Sequence, residues 1–122
     1  MRLENIRFKA KRLDNSEWVE GDLLHAEKVT MIAPINGGSH VVDPSTVCQY
    51  TGLYDCNGVA LYEHDIVEPY PFPWCEIVWS EENASFFLKD KYGKIETTTL
   101  GFSLSMGIYK FLRSKFDKEE KG

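Results

Sequence analysis

The side chains able to do chemistry in this sequence are few and scattered. Cys48, Cys56, His64 and Cys75 are residue types that zinc accepts. The close Cys-x-x-Cys knuckle of a structural zinc site is missing, however, and the wide spacings favour buried or incidental thiols. No metal and no cofactor is expected. Glu63 and Asp65 stand two residues apart in a tight turn, where carboxylates projecting together would suit acid–base work. The competing expectation is that Asp65 bonds backbone amides at the start of the next strand and that Glu63 is solvated. His25, His40 and His64 have no local signature tying them to a cysteine nucleophile. No catalytic residue is assigned.

The better candidate for function is an interaction segment, Pro69-Tyr70-Pro71-Phe72-Pro73-Trp74. Prolines at alternate positions exclude a helix and a central strand, so an extended, semi-rigid loop is expected. It loses little entropy when held, which suits Tyr70, Phe72 and Trp74 to anchoring a partner or a second copy of the chain. The alternative is that these aromatics cover the open end of the protein's own core.

Elements must hold that loop. Ile6, Phe8 and Ala10 alternate with Arg7, Lys9 and Lys11, the period of a half-buried strand. Asp14-Asn15-Ser16 turns the chain into strands over residues 18–25 and 29–33, the second stopped by Pro34. These three strands predict a meander. Val41-Val42 leads into an Asp43-Pro44 turn, then a strand over residues 47–50. Asn57-Gly58 marks a hairpin, because both residues tolerate positive φ. Strands follow at residues 59–62, 66–68, 75–79, 84–89 and 95–100. Residues 104–109 read as a last strand. Tyr109, Leu112 and Phe116 fall at helical spacing, so a short helix is expected over residues 110–118, with residues 117–122 frayed. The sequence thus predicts a mainly β fold, one domain over residues 1–122. Its short antiparallel strands would form a partly open barrel or bifurcated sheets, with a short C-terminal helix.

Charge and composition narrow the function classes. With 19 acidic against 14 basic residues the net charge is −5, which lacks the usual electrostatic footprint of nucleic-acid binding. The exception is local: Arg2, Arg7, Lys9, Lys11 and Arg12 face only Glu4 in the first twelve residues, and a solvated strand face is the plain explanation. Three irregularly spaced cysteines do not suggest a disulfide framework. Residues 1–12 show no apolar signal-peptide core, and the apolar run at residues 29–35 is too short for a bilayer. A cytoplasmic setting without membrane association is expected.

Two stretches carry a resemblance. Arg7-Phe8-Lys9-Ala10 with Trp18-Val19-Glu20-Gly21-Asp22-Leu23 is one. The other runs from Val42-Asp43-Pro44 through Gln49-Tyr50-Thr51-Gly52-Leu53-Tyr54-Asp55-Cys56-Asn57-Gly58 to Tyr62-Glu63-His64-Asp65-Ile66-Val67. Together they resemble the YopX family of phage and prophage proteins. That family often has glycine where His64 stands and a polar residue such as lysine where Cys56 stands. The loop holding Tyr70, Phe72 and Trp74 lies outside the resembling pattern. The resemblance implies a β-rich protein of phage or mobile-element origin in a bacterial cell, and it brings no catalysis with it.

The leading functional expectation is a non-enzymatic accessory module that binds protein or associates with itself. The runner-up is a nucleic-acid-binding small barrel using Arg7, Lys9, Lys11 and stacked aromatics. A small enzyme built on Glu63 and Asp65 comes third.

Overall fold

The computed structural model describes residues 2–117. The chain divides into two compact units, residues 1–50 and 51–122, each with its own apolar cluster. In the first unit, β1 (Phe8–Lys11), β2 (Trp18–His25) and β3 (Thr30–Ala33) form the expected three-stranded antiparallel meander, β4 (His40–Val42) extends it by pairing with β3, and β5 (Cys48–Tyr54) pairs with the other side of β1. The period-two pattern is used as read. Ala10, Ile32 and Val42 are buried, and Phe8, Val19, Leu23 and Val47 pack against them. Arg7, Lys9 and Lys11 take the opposite face.

β5 runs on into the second unit, where β6 (Ala60–Tyr62) pairs with it. The Asn57-Gly58 turn between them is closed by Asp55, and Gly58 sits at φ +82°. A five-stranded antiparallel sheet follows, in the order β10 (Ile95–Thr99), β9 (Ser85–Asp90), β8 (Cys75–Ser80), β7 (Asp65–Pro69), β11 (Tyr109–Ser114). Its core is Leu61, Val67, Cys75, Ile77, Leu88, Leu100 and Tyr109. Each sheet keeps two edge strands, so the fold is mainly β with two open antiparallel sheets and no closed barrel.

The tail departs from the sequence reading in order. The short helix α1 (Leu100–Leu104) comes first and the strand β11 second. Thr99 caps the helix by accepting from the Phe102 N–H, Ser105 is its C-cap, and Gly107 at φ +74° turns the chain away just beyond, its N–H donating to the Leu104 carbonyl. Beyond that, pairing decides: β7 has a free side that β11 fills in the register Tyr109 to Pro69 and Phe111 to Val67. Tyr109 is then buried and Phe111 packs on the core, whereas Leu112, a member of the helical pattern, is left exposed. Helix and strand periods both fitted this short segment, and the open side of β7 selected the strand. Of the tail expected to fray, residues 118–122 lie outside the described residues. Asp117 is held by the Ser114 N–H, which donates to its Oδ2 at 2.9 Å.

Among the described residues no helix is long and apolar enough to cross a membrane.

Candidate functional site

The antiparallel register brings three connections to one end of the five-stranded sheet. Cys75 opposes both Val67 and Asp90, Ile95 opposes Lys89, and Tyr109 opposes Pro69. The loop after Pro69, the turn after Asp90 and the segment before Tyr109 therefore share that end. Tyr70 is 80% exposed, Phe72 63% and Trp74 38%. Tyr70 and Phe72 thus stand mostly in solvent, while Trp74 is more than half covered. Phe72 N–H donates to the Pro69 carbonyl at 2.7 Å, so the loop opens on a turn and is not extended throughout.

Sequence reasoning missed the neighbours of this loop. Tyr92 is as exposed as Tyr70, and its turn is tied by Asp90, whose Oδ1 accepts from Tyr92 and Lys94 N–H groups. Met106 and Ile108 are exposed beside Gly107. Four aromatics and two other large apolar side chains are thus exposed on connections at one end of the sheet, and exposed apolar groups that gather on one surface mark interaction sites. The surrounding charges balance, with Glu68, Asp90 and Glu96 against Lys91, Lys94 and Lys110. Only the register could have revealed this grouping, since no local spacing links residues so far apart in the chain.

Behind the patch, Cys75 is buried. Desolvation, aided by Glu96 and Asp90, pushes its thiol up to about 11. Cys48 is buried as well, and Cys56 is exposed. A thiol-specific chromogenic reagent at about pH 8 should therefore label one thiol per native chain quickly, and the other two only after unfolding. Rapid labelling of two or three thiols in the native protein would contradict this burial. Among the described residues no three His, Cys, Asp or Glu groups converge as a metal site requires.

The Glu63-His64-Asp65 turn is built differently from a carboxylate pair. Asp65 is 1% exposed, and its Oδ2 accepts from the Tyr62 N–H at 2.8 Å. Glu63 lies beside His64, its Oε2 3.6 Å from Nε2. On the other side, His64 Nδ1 is 2.9 Å from Oε2 of the buried Glu76. Lys89 and Lys115 approach the same Glu76 at 3.7 and 3.8 Å. His64 holds φ +70°, a left-handed conformation, without being glycine. Two backbone bonds clamp it: His64 N–H to the Ile77 carbonyl and Lys115 N–H to the His64 carbonyl, both 2.8 Å. Surroundings that over-determine a residue in this way can carry its backbone strain.

The basic face of β1 is also occupied. The Arg7 guanidinium lies 4.0 Å over the Tyr50 ring and 3.3 Å from Glu20. Lys9 and Lys11 place their ammonium groups 4.6 and 5.4 Å from the Trp18 ring. These cations cover aromatic rings on their own sheet, which is more structured than a simple solvated face.

The family model described as YopX protein matches residues 4–98. The chain belongs to the YopX family. No curated protein matches it. Within this YopX chain, the residues that carried the resemblance serve architecture. Asp43 caps a turn of 3-10 helix at residues 44–46 by accepting from the Ser45 N–H, and Thr46 Oγ1 accepts from the Lys11 N–H. Gly52 takes φ +80°. Asp55 is buried, with Oδ1 accepting from the Asn57 and Val59 N–H groups and Oδ2 from the Phe111 N–H. Burial opposes ionisation of Asp55, but the three donors and nearby Lys110 together hold its carboxyl below the ordinary value. The YopX match ends at residue 98, before Met106, Ile108 and β11.

Proposed function

We propose that this YopX chain is a non-enzymatic module that binds protein through the aromatic end of its five-stranded sheet, with a second copy of itself as the first partner. It would serve as an accessory protein of a phage or prophage in the cytoplasm of a bacterial host. One observation carries the reading: Tyr70, Phe72, Trp74 and Tyr92 are all exposed at the end of the sheet where their loops meet. Aromatics on short, tied loops offer large contact area at low entropic cost. The balanced charges around them let two copies approach despite the net charge of −5.

Nucleic-acid binding is the second reading, motivated by Arg7, Lys9 and Lys11. Their engagement with Tyr50, Glu20 and Trp18 weighs against it. The small-enzyme reading loses its paired acids, because Asp65 is turned inward onto backbone.

Size-exclusion chromatography with light scattering tests the proposal. At high micromolar concentration the chain should run at the mass of a dimer or larger. Trp74→Ala should weaken that association roughly 30-fold, the loss of an aromatic hot spot of about 2 kcal/mol. A monomer throughout the concentration range, or an assembly indifferent to Trp74→Ala and Phe72→Ala, would overturn it. Binding to DNA or RNA at about 50 mM salt, where such binding is strong, would favour the second reading.

A further inference from the structure

The first unit holds a cleft that plays no part in the self-association reading. It encloses about 460 Å³, within the range of sites that take small ligands or a few side chains. Leu3, Ile6, Ala33 and Ile35 supply its apolar lining. Three of these are left to solvent: Leu3 is 86% exposed, Ile6 44% and Ile35 fully so. Large aliphatic side chains gathered around one concavity, left exposed among the described residues, form a surface suited to a partner. The cleft is held in shape by main chain, because the backbone at Gly21 in β2 approaches the Ala33 carbonyl too closely for any side chain.

Charge at the mouth selects the occupant. Glu4, Glu20 and Asp22 line it with a single cation, Arg7. Arg7 is already engaged, 3.3 Å from Glu20 and stacked over Tyr50. Glu4 has an ion pair with Arg2 at 3.4 Å in which both side chains are well exposed, and such pairs contribute little. With Arg2 and Arg7 set against Glu4, Glu20 and Asp22, the mouth keeps an excess of one carboxylate over an apolar lining, and that carboxylate, Asp22, has no cation among the lining residues paired with it. Such a mouth favours a basic over an acidic occupant. The loop of a second copy around Tyr70, Phe72 and Trp74 brings no cation of its own.

We propose that this cleft binds a short basic and apolar segment of a partner protein, seating one large aliphatic side chain among Leu3, Ile6 and Ile35 while flanking arginines or lysines face Glu4, Glu20 and Asp22. The partner is distinct from a second copy of the chain, and the site works whether or not the aromatic end associates.

The probe is the peptide acetyl-Arg-Leu-Arg-Leu-Arg-amide, titrated into the isotope-labelled full chain and followed by amide NMR shifts, with acetyl-Glu-Leu-Glu-Leu-Glu-amide as control. The basic peptide should bind with a dissociation constant of about 10–1,000 µM, shifting amides of residues 3–7, 20–22 and 33–35. The acidic peptide should cause no shifts there. Ile35→Ser, at a fully exposed position where the fold has nothing to lose, should weaken binding about tenfold by removing apolar area from the bound state. Asp22→Asn should weaken it about threefold and reduce its dependence on salt. The proposal is overturned if the basic peptide does not bind, if both peptides bind alike, if the shifts fall elsewhere in the chain, or if Ile35→Ser binds as tightly as the parent.

Discussion

Gly21→Ala is expected to destabilise the protein by about 3 kcal/mol or more, the upper range for forced overpacking. A Cβ at this position would lie 2.3 Å from the Ala33 oxygen, 2.7 Å from its carbonyl carbon and 2.8 Å from the Pro34 Cα. All three atoms are main chain, so no rotamer change relieves the overlap. The strands β2 and β3 would have to part where Asp22 opposes Ala33, and the next pair inward is Leu23 opposite Ile32, which is completely buried. Alanine also restricts the unfolded chain, a gain of roughly 0.5–1 kcal/mol that is too small to compensate. Gly37→Ala is the informative control: a Cβ there meets nothing within 4 Å, and only the φ of +105° resists it. Denaturant unfolding followed by tryptophan fluorescence should place the Gly21→Ala midpoint far below that of Gly37→Ala. A Gly21→Ala chain within about 0.5 kcal/mol of the parent, the range of a neutral surface change, would show that this close approach is wrong.

Asp55→Ala should cost about 3 kcal/mol by a different route. Removing the carboxylate strands three N–H donors, those of Asn57, Val59 and Phe111. Each unsatisfied donor costs roughly 1–3 kcal/mol when buried, and less where water can enter. The change also releases β11, because the bond to Phe111 ties the hairpin turn to the last strand. The sign of the pH dependence follows from the lowered carboxyl. Burial raises it, but the donors at Phe111, Val59 and Asn57 and the charge of Lys110 together bring it below 3.8. Its stabilisation is complete above the unfolded value and is lost as pH falls through the lower folded value. Stability of the parent should therefore drop as pH goes below about 4. Asp55→Asn, which cannot ionise, should show a shallower drop over the same range. An Asp55→Ala chain as stable as the parent, or an acid limb unchanged in Asp55→Asn, would contradict this role.

Much of the architecture was legible because local chemistry and the fold agree. Phe8 and Ala10 alternate with cations and do face the core, and Asn57-Gly58 does turn a hairpin. Asp65 does bond backbone, but it accepts from Tyr62 at the end of the preceding strand and not from the start of the next one, and Glu63 lies beside His64 instead of in open solvent. The tail was not legible, since Tyr109, Leu112 and Phe116 satisfy a helical period while the open side of β7 favours a strand. The steric role of Gly21 is also silent in sequence, because its conformation is ordinary and only the approach of β3 forbids a side chain. For the candidate site, the proline spacing marked residues 69–74 as a loop; Pro69 instead ends β7, and Tyr70, Phe72 and Trp74 are exposed on the loop that follows it. Tyr92, Met106 and Ile108 could not be joined to them before the register of β7 to β11 was known. The signature stretch from Val42 to Val67 reads as turns and buried acceptors, which leaves the surface outside it to carry function.

The most direct test of the aromatic end as a self-binding surface is a concentration series of amide NMR spectra on the full chain. Self-association through that end predicts shifts that grow with concentration and cluster at residues 70–74, 91–93 and 106–108, and that vanish in Trp74→Ala. Spectra independent of concentration up to the solubility limit, or shifts concentrated instead on β1 and β2, would contradict it.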